Sequence, residues 1–121
     1  MAKVRMGMVG GGEGGFIGAT HRMAAALDGE IELVCGAFSS TAERSLRSGQ
    51  SLHLPADRCY GDYGSMFREE ALLPADKRMQ FVAIVTPNHL HLPVALAAIA
   101  AGFHVLSDKP ATLNLAEAVE L

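Results

Sequence analysis

The sequence predicts an α/β fold: a doubly wound parallel sheet of about five strands, in the order 3-2-1-4-5, with helices on both faces. Three observations carry this prediction. Short apolar runs alternate with stretches of helical spacing along the whole chain. The runs at Val4 to Val9, Ile31 to Phe38 and Gln80 to Val85 are nearly continuous in apolar residues, as in strands buried on both faces. Glycines crowd between residues 10 and 18, directly behind the first run, where a strand must turn into a helix.

Each element has its own signal. Val4 to Val9 is the first strand. Ile17, Thr20, Ala24 and Leu27 have helical spacing, and Gly29 stops that helix. Ile31 to Phe38 is the second strand. Ser40 and Glu43 have the spacing of a capping box, which starts a second helix that ends near Gly49. A short third strand is expected around Cys59 and Tyr60. Asp62 caps a third helix with Tyr63, Met66 and Phe67 on its inner face. Gln80 to Val85 is the fourth strand. The alanine-rich helix from Leu92 to Ala101 takes Pro93 in its first turn and ends at Gly102. Phe103 to Ser107 is the fifth strand, and Asn114 with Glu117 opens a last helix.

Composition narrows the function classes. With 50% hydrophobic and 19% charged residues in 121, the chain has the balance of one globular domain. The net charge is −3 and there is no basic run, so nucleic acid is excluded as a partner. No stretch approaches ~18 uninterrupted apolar residues, so no membrane span is expected. The two cysteines, Cys35 and Cys59, make neither a disulfide framework nor a zinc set and read as buried, reduced thiols. The expected location is the cytoplasm.

Three segments carry chemistry. Gly10, Gly12 and Gly15 have the spacing G-x-G-x-x-G between a strand and a helix. The first allows a sharp turn, the second lets backbone approach a pyrophosphate, and the third lets helix and strand pack closely. Backbone amides at the helix start, from Gly15 through Phe16 and Ile17, then face the phosphates. Glu13 suits no pyrophosphate and is expected in solvent. The second segment ends the second strand as Ala37-Phe38-Ser39-Ser40-Thr41, with no carboxylate to bind the 2′-hydroxyl of NAD. Ser39, Ser40 and Arg44 suit a 2′-phosphate, which leans the reading toward NADP. Ser40 as a plain cap and Arg44 as a solvated charge remain open.

The third segment comprises two turns at the carboxyl ends of strands, where open parallel sheets bind ligands. Thr86-Pro87-Asn88-His89-Leu90-His91 follows the fourth strand and is placed near a nicotinamide. His89 and His91, two apart, share no helix face and lack a completing Cys or carboxylate, so no metal is expected. Asp108-Lys109-Pro110 follows the fifth strand. Lys109 could orient a reacting hydroxyl or be a surface lysine in an ordinary turn.

On Gly-Met-Val-Gly-Gly-Gly at 7 to 12, Thr-Pro-Asn-His-Leu-His at 86 to 91 and Asp-Lys-Pro at 108 to 110, the chain resembles the Gfo/Idh/MocA oxidoreductases. The resemblance implies a Rossmann domain, NAD(P) and hydride exchange with a sugar- or polyol-like alcohol or carbonyl. It implies that Thr86, Pro87 and Asn88 line the nicotinamide side with His91 behind them. It also implies that Lys109 is catalytic, touching substrate and nicotinamide ribose, beside Asp108 and Pro110. Where the family usually has Glu, this chain has Asp108. The family's second, substrate-binding domain is not in residues 1–121. The expectation is therefore a nucleotide-binding domain that shows no turnover alone and self-associates through its fifth-strand edge or last helix. The alternative is a non-catalytic NAD(P)-binding module.

Overall fold

The computed structural model describes residues 2–121. Four parallel strands, β1 (Val4–Gly10), β2 (Ile31–Ala37), β3 (Phe81–Val85) and β4 (His104–Ser107), form one sheet in the order β2-β1-β3-β4. The helices are α1 (Phe16–Ala26), α2 (Ala42–Ser51), α3 (Tyr63–Leu72), α4 (His91–Ala100) and α5 (Leu115–Glu120). Short 3-10 turns lie at Ala56–Arg58 and Asn88–Leu90.

The expected third strand is reduced to a bridge, while the second, fourth and fifth strands each lose one terminal residue of their expected span. Around Cys59 only a single parallel bridge to Gly36 forms, supported by the Tyr60 amide donating to the Gly36 carbonyl at 2.8 Å. The segment sits outside β2, so the expected order survives with four strands rather than five. Its length is the physical reason. Arg58 is held by the 3-10 turn and Asp62 already caps α3, which leaves too few residues to extend a ladder.

Alternation along the strands divides the core between two layers. Val82 and Ile84 of β3 pack with Val9, Met66, Phe67, Val94 and Phe103 under α3 and α4. Ala83 and Val85 pack with Met6, Met8 and Phe38 under α1 and α2, where Ile17 and Ala25 join them. Both faces of β3 are thus covered, which is why its sequence is apolar throughout.

Caps follow the sequence with one shift. Asp62 accepts the Ser65 amide at 2.7 Å and Asn114 accepts the Glu117 amide at 3.0 Å. Chiefly through that Ser65 amide, the Asp62 carboxyl lies below its ordinary range. The cap of α2 is Thr41 rather than Ser40: its hydroxyl accepts the Arg44 amide at 3.3 Å, so Ser40 and Glu43 form no capping box. Gly102, at φ +91°, follows α4 as expected.

A buried polar staple holds the reduced third segment in place. Glu70 on α3 is fully buried, and Arg58 grips both its oxygens at 2.7 and 2.8 Å. The Tyr60 hydroxyl and the Met79 amide donate to the same carboxylate at 2.7 and 2.9 Å. Burial, then this carboxylate, push the Tyr60 hydroxyl well above its ordinary value. With the carboxylate gone, a largely desolvated guanidinium loses its counter-charge. Glu70→Gln is therefore expected to cost about 3 kcal/mol, read as a lower urea midpoint at unchanged slope. An unchanged midpoint would show the staple to be ornamental.

Candidate functional site

β1 ends where its backbone must reverse, and Gly10 and Gly11 do so at φ +84° and +73°. The chain then enters α1 with Gly15 as its N-cap. No side chain caps this helix, and no acidic residue lies in its first turn. Its first amides are consequently free to meet an anion. Phe16 is 84% exposed there, while Ile17 turns inward onto the α1-side core.

Two glycine roles differ from those the spacing implied. The close approach of helix to strand is made by Gly18, which the motif does not include. A Cβ on Gly18 would lie 2.4 Å from the Gly11 Cα, whereas one on Gly15 would meet the Gly12 carbonyl oxygen at 3.0 Å. Gly12 is required by protein as well as by any ligand, since its Cβ would lie 2.7 Å from the Phe38 carbonyl oxygen and 3.0 Å from Ser48 Oγ. A Gly12→Val substitution would disturb packing before it reported on a pyrophosphate.

Side chains absent from the sequence reading brace this loop. Arg22, one helical turn past Gly18, donates to the Gly11 carbonyl at 2.8 Å, and burial lowers its guanidinium pKa. Ser48 Oγ accepts the Glu13 amide at 3.0 Å, and Glu13 is exposed but lines the cavity at the glycine loop. Ser45, also buried, accepts the Phe38 amide at 3.0 Å. Ser45, Ser48 and Gly49 are the buried residues of α2. Small polar residues on an inward helical stripe were the available signal.

Two cavities open along the carboxyl edge. One, of about 320 Å³, is lined by Gly12, Gly15, Ser39, Arg44, Arg47 and Ser48, among others. It brings the glycine loop to Ser39 and Arg44 and adds Arg47, whose guanidinium meets Glu43 at 3.0 Å. The other, of about 500 Å³, reaches from Gly10 and Ser40 to Asp62, Tyr63, Thr86 and Pro87. Thr86 and Pro87 therefore share a cavity with residues from the end of β2.

The remaining candidates lie farther along the edge. Asn88 and Lys109 are exposed. Asp108 is turned toward α1, with its Oδ1 3.6 Å from His21 Nε2. His91 is not a lining residue: it is 1% exposed, and its ring contacts the Thr86 carbonyl at 3.0 Å and the Pro110 carbonyl. The Lys109–Pro110 peptide is cis. Cys35 is buried and Cys59 half-buried, and both are free. Among the described residues, no three His, Cys, Asp or Glu side chains are grouped to hold a metal ion.

The glycine contacts rank two substitutions. Gly18→Ala should force α1 off the loop, with both a marked loss of stability and loss of nucleotide binding. Gly14, at φ +82°, has nothing within 4 Å of an added Cβ. Gly14→Ala should therefore cost only backbone strain, about 1–2 kcal/mol. Thermal melts and a nucleotide titration of both variants check this order, and a milder effect at Gly18 would reverse the assignment.

Comparison with known proteins agrees with this architecture. The family model for the oxidoreductase family with an NAD-binding Rossmann fold matches residues 4–121. An oxidoreductase of Bacillus subtilis is 40% identical over 119 residues, covering 98% of this chain and 30% of that protein. An inositol dehydrogenase homologue from Azotobacter vinelandii, solved with NAD+, superposes with TM-score 0.93 at 40% identity over 98% of this chain and 30% of its own. An oxidoreductase from Sinorhizobium meliloti gives 0.91 at 48% identity, over 99% of this chain and 33% of its own. The chain thus spans about a third of the length of these relatives. A glycine loop seated on α1, a parallel sheet and a family match along nearly the whole chain agree: this chain belongs to the Gfo/Idh/MocA oxidoreductase family and forms its NAD-binding Rossmann domain.

Proposed function

We propose that this chain holds NAD(P) for an enzyme that exchanges a hydride with a sugar- or polyol-like alcohol or carbonyl. The observation that carries the reading is the shared edge: glycine loop, Ser39–Arg44 cavity, Thr86-Pro87 turn and Lys109 turn all lie at the carboxyl ends of the strands. Related proteins support the substrate class. The Azotobacter homologue was also solved with NADH and myo-inositol, and a UDP-N-acetylglucosamine 3-dehydrogenase of Acidithiobacillus ferrooxidans is 30% identical over 118 residues.

The residues fit the cofactor. The uncapped start of α1 would meet the pyrophosphate, with Gly10, Gly12 and Gly15 leaving room and Phe16 and Ile17 supplying amides. When bound, the nicotinamide would carry the hydride, and Thr86, Pro87 and Asn88 would border it. Lys109, exposed and without an ion-pair partner among the described residues, would donate a hydrogen bond from Nζ to the reacting oxygen and so orient it. Asp108 and Pro110 frame that lysine. The free thiols of Cys35 and Cys59 suit a reducing cytoplasm.

Ser39 and Arg44 line the cavity at the glycine loop, Ser40 lines the neighbouring one, and no carboxylate follows β2 directly at Phe38, Ser39 or Ser40, so NADP should bind at least as well as NAD. Calorimetric titration of both, repeated with Arg44→Ala, tests this. Because Arg44 is exposed, the substitution should weaken NADP only about fivefold and leave NAD unchanged. Tighter NAD binding, with neither affinity altered by the substitution, would remove Arg44 from the site.

β4 pairs only with β3, and Leu106 on it is 48% exposed. Such an edge is a template for another chain, and we assign self-association to it. Val105 packs into the α3–α4 core, so Leu106→Lys rather than a change at Val105 probes the edge. Sedimentation should show concentration-dependent association that Leu106→Lys weakens. A monomer at every concentration sinks the idea.

A further inference from the structure

We propose that His21 and His91 are positioning residues that mount Lys109 between them, one from each face of the sheet. The inference rests on the reading of Lys109 as the nicotinamide-side cation. It goes beyond that reading by naming what holds the lysine there.

Lys109 follows β4, and the last strand-like bond at this edge is the Asp108 amide to the Ile84 carbonyl at 3.0 Å. Beyond it the turn leaves the sheet, and Lys109 makes no hydrogen bond of its own among the described residues. Its two neighbours meet histidines instead, Pro110 through a hydrogen-bond contact and Asp108 across ion-pair range. On one side, the Asp108 carboxylate lies 3.6 Å from His21 Nε2, with the two side chains 27% and 23% exposed. His21 belongs to α1, the helix that starts at the glycine loop, and adjoins Arg22, which grips the Gly11 carbonyl at 2.8 Å.

On the other side, the Pro110 carbonyl meets His91 Nδ1, at the start of α4 on the opposite face. The same ring reaches the Thr86 carbonyl through Nε2 at 3.0 Å. His91 is 1% exposed, so it offers a ligand no surface and acts through what it touches. A ring with its edges on two carbonyls fixes the distance between the turns after β3 and β4. At least one of the contacts is a donated N–H bond, and both are in the protonated ring. Proline has no amide hydrogen, so its carbonyl is the only hydrogen-bonding backbone group at that position through which the turn can be tied.

The test uses two ligands. NADH extends to the Lys109 turn, whereas ADP occupies only the adenosine and phosphate part of the site. Dissociation constants for both are measured with the unchanged chain, His21→Ala, His91→Gln, Lys109→Ala and each histidine change combined with Lys109→Ala. The expected result is a loss of about fivefold in NADH affinity for each single histidine change, with ADP affinity unchanged. In the Lys109→Ala background the histidine changes should cause no further loss, because they act through that side chain. An equal loss for NADH and ADP, or the same NADH loss with and without Lys109, overturns the mount. Should His91→Gln fail to fold by circular dichroism, the half-exposed His21 decides the matter by the same comparison. If the unchanged chain bound neither NADH nor ADP, the nucleotide reading itself would fall, and the mount with it. Binding of ADP and NADH with no histidine effect would overturn the mount alone.

Discussion

The contact between Gly18 of α1 and the Gly11 backbone is the constraint on which the nucleotide edge depends. It sets how near the helix axis comes to β1, and so where the free amides of the first turn point. No other residue type fits at Gly18, because an added Cβ would stand 2.4 Å from a backbone atom that cannot move without its strand. Arg22 completes the same contact from below by taking the Gly11 carbonyl, which no helix or strand partner satisfies. The cradle is therefore rigid on its protein side, and rigidity in the free state is what lets a loop bind without a large ordering cost.

The two faces of the sheet differ in how they meet that requirement. On the α1–α2 face the functional loops are held by short polar bonds from Ser45, Ser48 and Arg22, with a small apolar cluster between them. On the α3–α4 face a larger apolar core carries the stability, and its one charged interior group, Glu70, is fully partnered. This division matches the chemistry. The glycine loop needs directional bonds to hold backbone at positive φ, while the opposite face adds its polar bonds, at Glu70 and His91, to dense packing.

Much of the fold was legible because it rests on local signals. The periods of β1, β2 and β3, the Asp62 and Asn114 caps and the Gly102 stop are written within a few residues of where they act. So was the place of the glycine turn between β1 and α1, since a strand, a glycine cluster and a helix follow one another directly in the chain. Thr41 displacing Ser40 as the α2 cap is a one-residue error of the kind local signals allow, because two adjacent hydroxyls compete for the same amide.

What the sequence by itself determined was the sequence of elements, the parallel sheet and the three loops that meet at its carboxyl edge. Only the tertiary structure decided which residues carry those loops. Gly18 rather than Gly15 makes the helix–strand contact, the His91 ring reaches the carbonyls of two turns, and Asp108 faces His21 eighty-seven residues away. The third strand was decided the same way, cut to one bridge between the 3-10 turn at Ala56–Arg58 and the cap at Asp62, with the Arg58–Glu70 pair holding the segment in place. The physical reason is common to all four. Periodicity and capping are properties of neighbours in the chain, whereas van der Waals exclusion, carbonyl satisfaction and buried ion pairing are settled between atoms that only the folded sheet brings together.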